Sequence, residues 1–351
     1  MAGTGNGQWA YFGSFTADGG RGITTAAVDT ESGALTVRGH CDEVVNPSYL
    51  TLAPGSAFLY SVSEQDEGAV AAYSLAEPGA PRLLGDGPVS VGASGPTHLT
   101  VAAGQLFTAN YTSGSVTALP VRSDGSVGGA EPAVRRHSGS GPNADRQAGP
   151  HAHAVVADPR WHWLLSTDLG TDSVWVYRLD HTGAALIPHG QAELTAGGGP
   201  RHLAFHPAGE VVYVVSELGS TLTGCRWDGE SGTLRPVRSV STRAPGAHGE
   251  NYPSALTLSA DGSTAWVANR GDDTIAVFRL DPEEGGAELV GTVSCGGRWP
   301  RDLVLGPGGR HLYAANEVSG EVVWFDLDPV TGVPKRAGAV SAPAVSCVVF
   351  G

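Results

Sequence analysis

Five ionisable side chains stand out by where they fall in the chain. His151, Arg201 and Arg301 each follow a proline, and Glu217 and Arg270 each sit just past the end of a short apolar run. An imidazole or carboxylate can take a proton from water, and guanidiniums can stabilise an oxyanion and grip an anionic tail, so the set suits acyl chemistry on a charged small molecule. His153 lies two residues beyond His151, on the same face of an extended strand. Glu64 and Glu317 hold the same place in their segments as Glu217 and are further candidates for substrate contact. His151, His153 and Asp168 could together hold a metal. Asp168, however, falls at a position that is small and polar in every repeat, and no further ligand is evident. No metal and no cofactor are therefore expected, and His153 reads as a hydrogen-bonded channel histidine. No Gly-x-Ser-x-Gly elbow and no glycine motif ahead of a helix occurs, which disfavours a serine nucleophile or a bound nucleotide. Lys335, the single lysine, is expected in a final turn, so cationic recognition falls to arginine.

These residues are positioned by a repeat. Six copies open with a proline ahead of a hydrophobic strand: Pro47-Ser-Tyr-Leu, Pro96-Thr-His-Leu, Pro150-His-Ala-His, Pro200-Arg-His-Leu, Pro253-Ser-Ala-Leu and Pro300-Arg-Asp-Leu. A seventh, Pro343-Ala-Val-Ser, stands near the end. Each full copy runs through a turn such as Ala53-Pro-Gly or His206-Pro-Ala-Gly into a second strand, then a third such as Ser173-Val-Trp-Val-Tyr, then a weaker fourth after a Gly-x-Leu turn. Four strands per unit, with copies 43 to 54 residues apart, predict an all-β fold, a seven-bladed β-propeller of four-stranded blades forming one domain over residues 1–351. The orphan strand Trp9-Ala-Tyr-Phe-Gly-Ser and the last strand, Val345-Ser-Cys-Val-Val-Phe, are expected to pair and close the ring.

In a propeller the loop entering the inner strand and the loop leaving the second strand share one face, so two positions per blade converge on one mouth. The first column, just after the proline, reads Ser48, Thr97, His151, Arg201, Ser254, Arg301 and Ala344; the second, just past the second strand, reads Phe15, Glu64, Tyr111, Leu169, Glu217, Arg270 and Glu317. One residue earlier stand Ser14, Ser63, Asn110, Asp168, Ser216, Asn269 and Asn316, uniformly small and polar as a turn requires. A residue the blade needs should repeat, whereas one needed for chemistry should occur once or twice. His151, Arg201, Glu217, Arg270 and Arg301 meet that condition; the plainer alternative for any one of them is a surface ion pair. In this alignment His153 takes the place of the leucine found at Leu50, Leu99, Leu203, Leu256 and Leu303, and His98 and His202 share one offset that suits a structural role.

A formal charge of −14 argues against nucleic acid or an anionic membrane as partner. No apolar run is long enough to span a membrane, and the opening Met-Ala-Gly-Thr-Gly-Asn-Gly lacks the regions of a signal peptide, so a cytoplasmic location is expected. Cys41, Cys225, Cys295 and Cys347 are widely spaced and read as buried thiols.

The segments Gly149-Pro-His-Ala-His, Gly199-Pro-Arg-His-Leu-Ala-Phe-His-Pro, Ser216-Glu-Leu and Ala268-Asn-Arg resemble motifs of the seven-bladed lactonase family, which includes propeller-type 6-phosphogluconolactonases and carboxy-muconate lactonising enzymes. The resemblance spans the chain and implies a catalytic set of His151, Arg201, Glu217 and Arg270. Where that family often carries Pro-Arg-Asn-Phe, this chain has Pro300-Arg-Asp-Leu. The expected activity is hydrolysis of an anionic lactone, most simply 6-phosphogluconolactone. His151 would act as base on water, Glu217 as its orienting partner or an alternative base, Arg201 and Arg270 would face the carbonyl, and Arg301 would hold the anion. Two alternatives stay open: a lactonising cyclase or isomerase on the same site, and a non-enzymatic interaction scaffold. A scaffold calls for a broad surface with aromatic anchors, whereas the unusual residues here are ionisable and converge on the channel.

Overall fold

The structure, a computed structural model, describes residues 8–53, 55, 57–180 and 186–351. The turn at Ala53-Pro-Gly includes Pro54, and the sequence reading of the first seven residues concerns positions that likewise lie outside the described residues. Seven antiparallel sheets stand around one axis. Blades I to VI span residues 50–90, 96–136, 152–193, 200–241, 252–294 and 300–341; blade VII joins strand Val345–Phe350 to the three strands that begin with Gln8–Ser14. Closure follows the sequence expectation, with Ala10 opposite Phe350, Tyr11 opposite Val349 and Phe12 opposite Val348.

Blades pack face to face, so a middle strand is covered on both sides and loses the alternation of a half-buried strand. Val211–Ser216 is buried at every residue, whereas the outer strand Leu186–Glu193 is buried only at Leu186 and Ala192. The core is accordingly divided among the seams. Trp163, Leu165, Val174 and Val176 of blade III meet Leu203, Val212, Val214 and Trp227 of blade IV.

The four-strand unit carries one elaboration, and one expectation needs correction. Blade I has a fifth strand, because its outer edge is split into Arg82–Leu83 and Val89–Ser90, both paired with Ala69–Ser74. Lys335 lies in the outer strand Pro334–Ser341 opposite Asp326, not in a turn, since the turn at Gly332 is complete before the ladder begins at Pro334. Of the four thiols, Cys225, Cys295 and Cys347 are buried and Cys41 is only half-buried.

Candidate active site

The inner strands are not regular at the mouth. Their register breaks at Thr97, His153, Arg201, Arg301 and Ser346, each left without a direct partner, and over Ser254 and Ala255 in blade V. A bulge at this point bends the strand and re-aims the side chain.

Backbone bonds around the ring fix which residues are equivalent. The amide just past the second strand donates to the carbonyl just ahead of the inner strand: Glu64 to Asn46 (3.0 Å), Tyr111 to Gly95 (2.7 Å), Leu169 to His151 (2.9 Å), Glu217 to Gly199 (2.7 Å), Glu317 to Trp299 (3.1 Å) and Phe15 to Ala344 (3.1 Å). His151 and Ala344 therefore occupy the place of Gly199, two residues before the position the sequence columns gave them. His153 and Ser346, not His151 and Ala344, match Arg201 and Arg301. Nor does His153 replace the repeated leucine: Val155 opposite Ser166 takes the place of Leu203 opposite Val214. The ring at the bulge thus carries Ser48, Thr97, His153, Arg201, Ser254, Arg301 and Ser346. All of these but Ser254 line a cavity of about 20 Å³, space for about one water, together with Tyr49, His98, His202 and Asp302.

Glu217 is the hub of the mouth. Its carboxylate is buried and meets three guanidiniums. Arg270 Nη2 donates to Oε2 at 2.6 Å and Arg146 Nη2 donates to Oε1 at 2.8 Å. Arg201 Nε lies 3.1 Å from Oε2, an ion pair whose N–H points elsewhere. The two inner arginines are also tied to backbone, Arg201 Nη1 to the Ser254 carbonyl at 2.6 Å and Arg270 Nε to the Tyr252 carbonyl at 2.9 Å. Trp299 lies against the Arg270 guanidinium, 5.5 Å from its ring centroid. Burial alone would raise the Glu217 pKa, but Arg270, Arg201 and Arg146 outweigh it and bring it down to about 2. Burial lowers Arg201 to about 9, helped by the charge of Arg270 and opposed by Glu217.

His151 is placed differently. Its Nδ1 is 3.0 Å from the Tyr111 carbonyl oxygen and its ring stacks on Tyr111 at 4.5 Å. A carbonyl only accepts, so Nδ1 carries the proton and Nε2 of the neutral ring keeps its lone pair. His153 is buried edge-on to Tyr111, and burial together with Arg201, Arg301 and Arg270 holds its pKa well below the usual imidazole range. Asp168 does not face the histidine pair: it bonds to His137 and to the backbone amides of His151 and Thr171. Among the described residues no group of three His, Cys, Asp or Glu side chains is placed to hold a metal.

The remaining candidates line the rim and floor. Arg301 Nη1 bonds to Glu317 Oε2 at 3.2 Å, and its guanidinium covers Phe15 at 4.8 Å. The Ser48 hydroxyl donates to Glu64, whose pKa is raised by burial against the opposing pull of Arg301.

A family model described as lactonase, seven-bladed β-propeller, matches residues 9–350. The chain belongs to this family. It is 34% identical over 297 residues to the 6-phosphogluconolactonase of Bacillus subtilis, covering 82% of each chain. Among solved structures it superposes on the periplasmic gluconolactonase PpgL of Pseudomonas aeruginosa with a TM-score of 0.87 and 31% identity, over 98% of both chains. A protein from Lactobacillus plantarum matches with a TM-score of 0.91 and 29% identity, over 98% of this chain and 99% of that one.

In this lactonase-family propeller the structure brings His151, His153, Arg201, Glu217, Arg270, Arg301, Glu64 and Glu317 to one mouth and adds two residues that sequence reasoning missed. Tyr111 stood in the second column without being singled out. Arg146 comes from residues 137–151, the longest crossing between blades among the described residues; the sequence signal was the widest spacing of the repeat, between Pro96 and Pro150. Among the described residues no helix is long and apolar enough to cross a membrane.

Proposed function

We propose that the chain is a lactonase that opens an aldonolactone by general acid–base catalysis, with 6-phosphogluconolactone as its substrate and no metal requirement. What carries this reading is the pairing in one mouth of a histidine whose Nδ1 donates to a carbonyl, leaving Nε2 to face the mouth, and two guanidiniums fixed by a carboxylate that is ionised at neutral pH. The family membership and the names of the Bacillus and Pseudomonas relatives support the reaction class.

In the mechanism, His151 Nε2 takes a proton from water as its oxygen attacks the lactone carbonyl carbon. The carbonyl π electrons move to oxygen, and the oxyanion faces Arg201 and Arg270, whose positions are set before the substrate arrives. Collapse breaks the bond between the acyl carbon and the ring oxygen, which takes the proton from the His151 imidazolium and leaves a hydroxy acid. Glu217 is a positioning residue and not a base, because a carboxyl group with a pKa near 2 has almost no affinity for a proton at neutral pH. His153, Glu64, Glu317 and Arg301 meet the sugar hydroxyls.

The test is a coupled assay of 6-phosphogluconolactone opening by the wild type and His151→Ala, with and without chelator, corrected for spontaneous opening. Activity that survives chelation and falls by about 10²- to 10⁴-fold in the variant is expected. A wild-type rate no faster than the background would reject the assignment and turn attention to muconate-type lactones and the cyclising direction.

A further inference from the structure

Residues 137–151 cross the mouth as a strap. The fastening is Gln147, fully buried, whose Nε2 donates to the Leu169 carbonyl at 2.8 Å and to Asp172 Oδ1 at 2.7 Å. Asp172 in turn accepts from the amides of Gly197 and Gly199, joining the strap to the loop that leads to Arg201. Asn143 closes the turn, with Oδ1 accepting from the Arg146 amide at 3.1 Å. The backbone beside Arg146 is thereby held while its side chain reaches over the opening.

Arg146 differs from the other guanidiniums there. Its side chain is 38% exposed, against 7% for Arg201 and for Arg270. One nitrogen, Nη2, serves both Glu217 and the Tyr111 hydroxyl, the latter at a long 3.4 Å. Among the described residues Nε and Nη1 make no hydrogen bond, so donors of its planar fork remain open to a ligand. Arg301 has less to offer, since Glu317 holds one edge and Phe15 covers one face.

We propose that Arg146 is the specificity residue that receives the phosphate of the substrate, an inference that rests on the lactonase reading above. The division of labour follows from solvation. A phosphate monoester loses least by staying at the wet rim, where Nη1–H of Arg146, joined by the Nη2–H that otherwise makes only the long contact to Tyr111, can grip it, while the lactone carbonyl enters toward the buried pair Arg201 and Arg270. The substrate is thus an aldonolactone phosphorylated at the end away from the reacting carbonyl.

The experiment compares wild type, Arg146→Gln and Arg146→Lys on 6-phosphogluconolactone and glucono-δ-lactone, and measures binding of 6-phosphogluconate and gluconate by titration calorimetry. Losing a charge-assisted fork should cost Arg146→Gln about tenfold or more in kcat/KM for the phosphorylated lactone, mostly through KM, with Arg146→Lys intermediate. The unphosphorylated lactone should change far less, and the wild type's preference for 6-phosphogluconate over gluconate should disappear in Arg146→Gln. Equal losses on both lactones would reduce Arg146 to a support for Glu217 and overturn the proposal, as would an unchanged preference. The binding measurement separates the two readings. A wild type that selects 6-phosphogluconate through Arg146 but opens no lactone overturns the reaction and leaves the phosphate subsite standing.

Discussion

Glu217 illustrates how residue types alone leave a proton-transfer assignment open and how surroundings close it. His151 and Glu217 are both plausible bases by composition, yet three guanidiniums bring Glu217 to about 2 and occupy both its oxygens, while His151 spends only Nδ1, on the Tyr111 carbonyl. Glu217→Gln should therefore lower kcat by misplacing Arg201 and Arg270, and should cost about 3–5 kcal/mol of stability by leaving buried charges without a counter-ion. The acid limb of its kcat/KM profile should stay where it is in the wild type, because Glu217 remains ionised throughout the assay range. Steady-state rates from pH 5 to 9 check this; an acid limb that vanishes in Glu217→Gln and persists in His151→Ala would reverse the two roles. At this scale the second column was legible in the sequence, because Ser216-Glu-Leu and Ala268-Asn-Arg each end a strand whose length is fixed by its partners. The first column slipped at His151 and Ala344. A strand repeats its facing every two residues, so an error of two leaves the hydrophobic pattern intact and gives no warning.

The elements divide into those the repeat dictates and those it does not. Strands buried on both faces announce themselves as short apolar runs, which is why the four-strand unit could be read from the chain. The bulges that aim Arg201, Arg301 and His153 into the mouth depend on how one strand registers against the next, and no residue type marks them. The strap belongs to the second kind: its stretch, punctuated by glycines and prolines, has no period, and its one fully buried polar anchor is Gln147, which meets Leu169, Asp172 and Asn143. Gln147→Ala should strip these bonds and leave buried acceptors unpaired, a local cost of about 1–3 kcal/mol per group. The strap should then become cleavable within residues 138–149 under limited proteolysis while the melting of the ring changes little, because no blade strand loses a partner. Cleavage no faster than in the wild type would show that the strap is held by something other than Gln147.

At the scale of the whole molecule, closing seven blades around an axis forces polar groups from every blade into a channel shielded from bulk water, and this gives the ring an acid sensitivity. His98, His153 and His202 share that channel, and burial comes first among the causes that push each pKa down, to about 3 for His202 from an ordinary 6.5. Below pH 6.5 the unfolded chain binds protons that the folded ring refuses, so each such imidazole removes about 1.4 kcal/mol of stability per pH unit until its own folded pKa is reached. Glu217 adds to the loss between 4.5 and about 2, since its folded pKa is depressed and the stability it contributes is present only above that window. Glu64 and Asp302 act in the opposite sense. Burial raises both, so their contribution is greatest at low pH and fades as pH rises through their folded values. Three imidazoles against two carboxyls leave a net fall, and thermal melts should drop by several degrees between pH 7 and pH 5. Relief of self-repulsion as the net charge of −14 is titrated toward the isoelectric point near 5.2 works against that fall but is common to every variant. His202→Gln isolates the imidazole: its melting temperature should depend less steeply on pH than that of the wild type. Parallel slopes for the two proteins would mean that His202 takes up its proton without unfolding the ring.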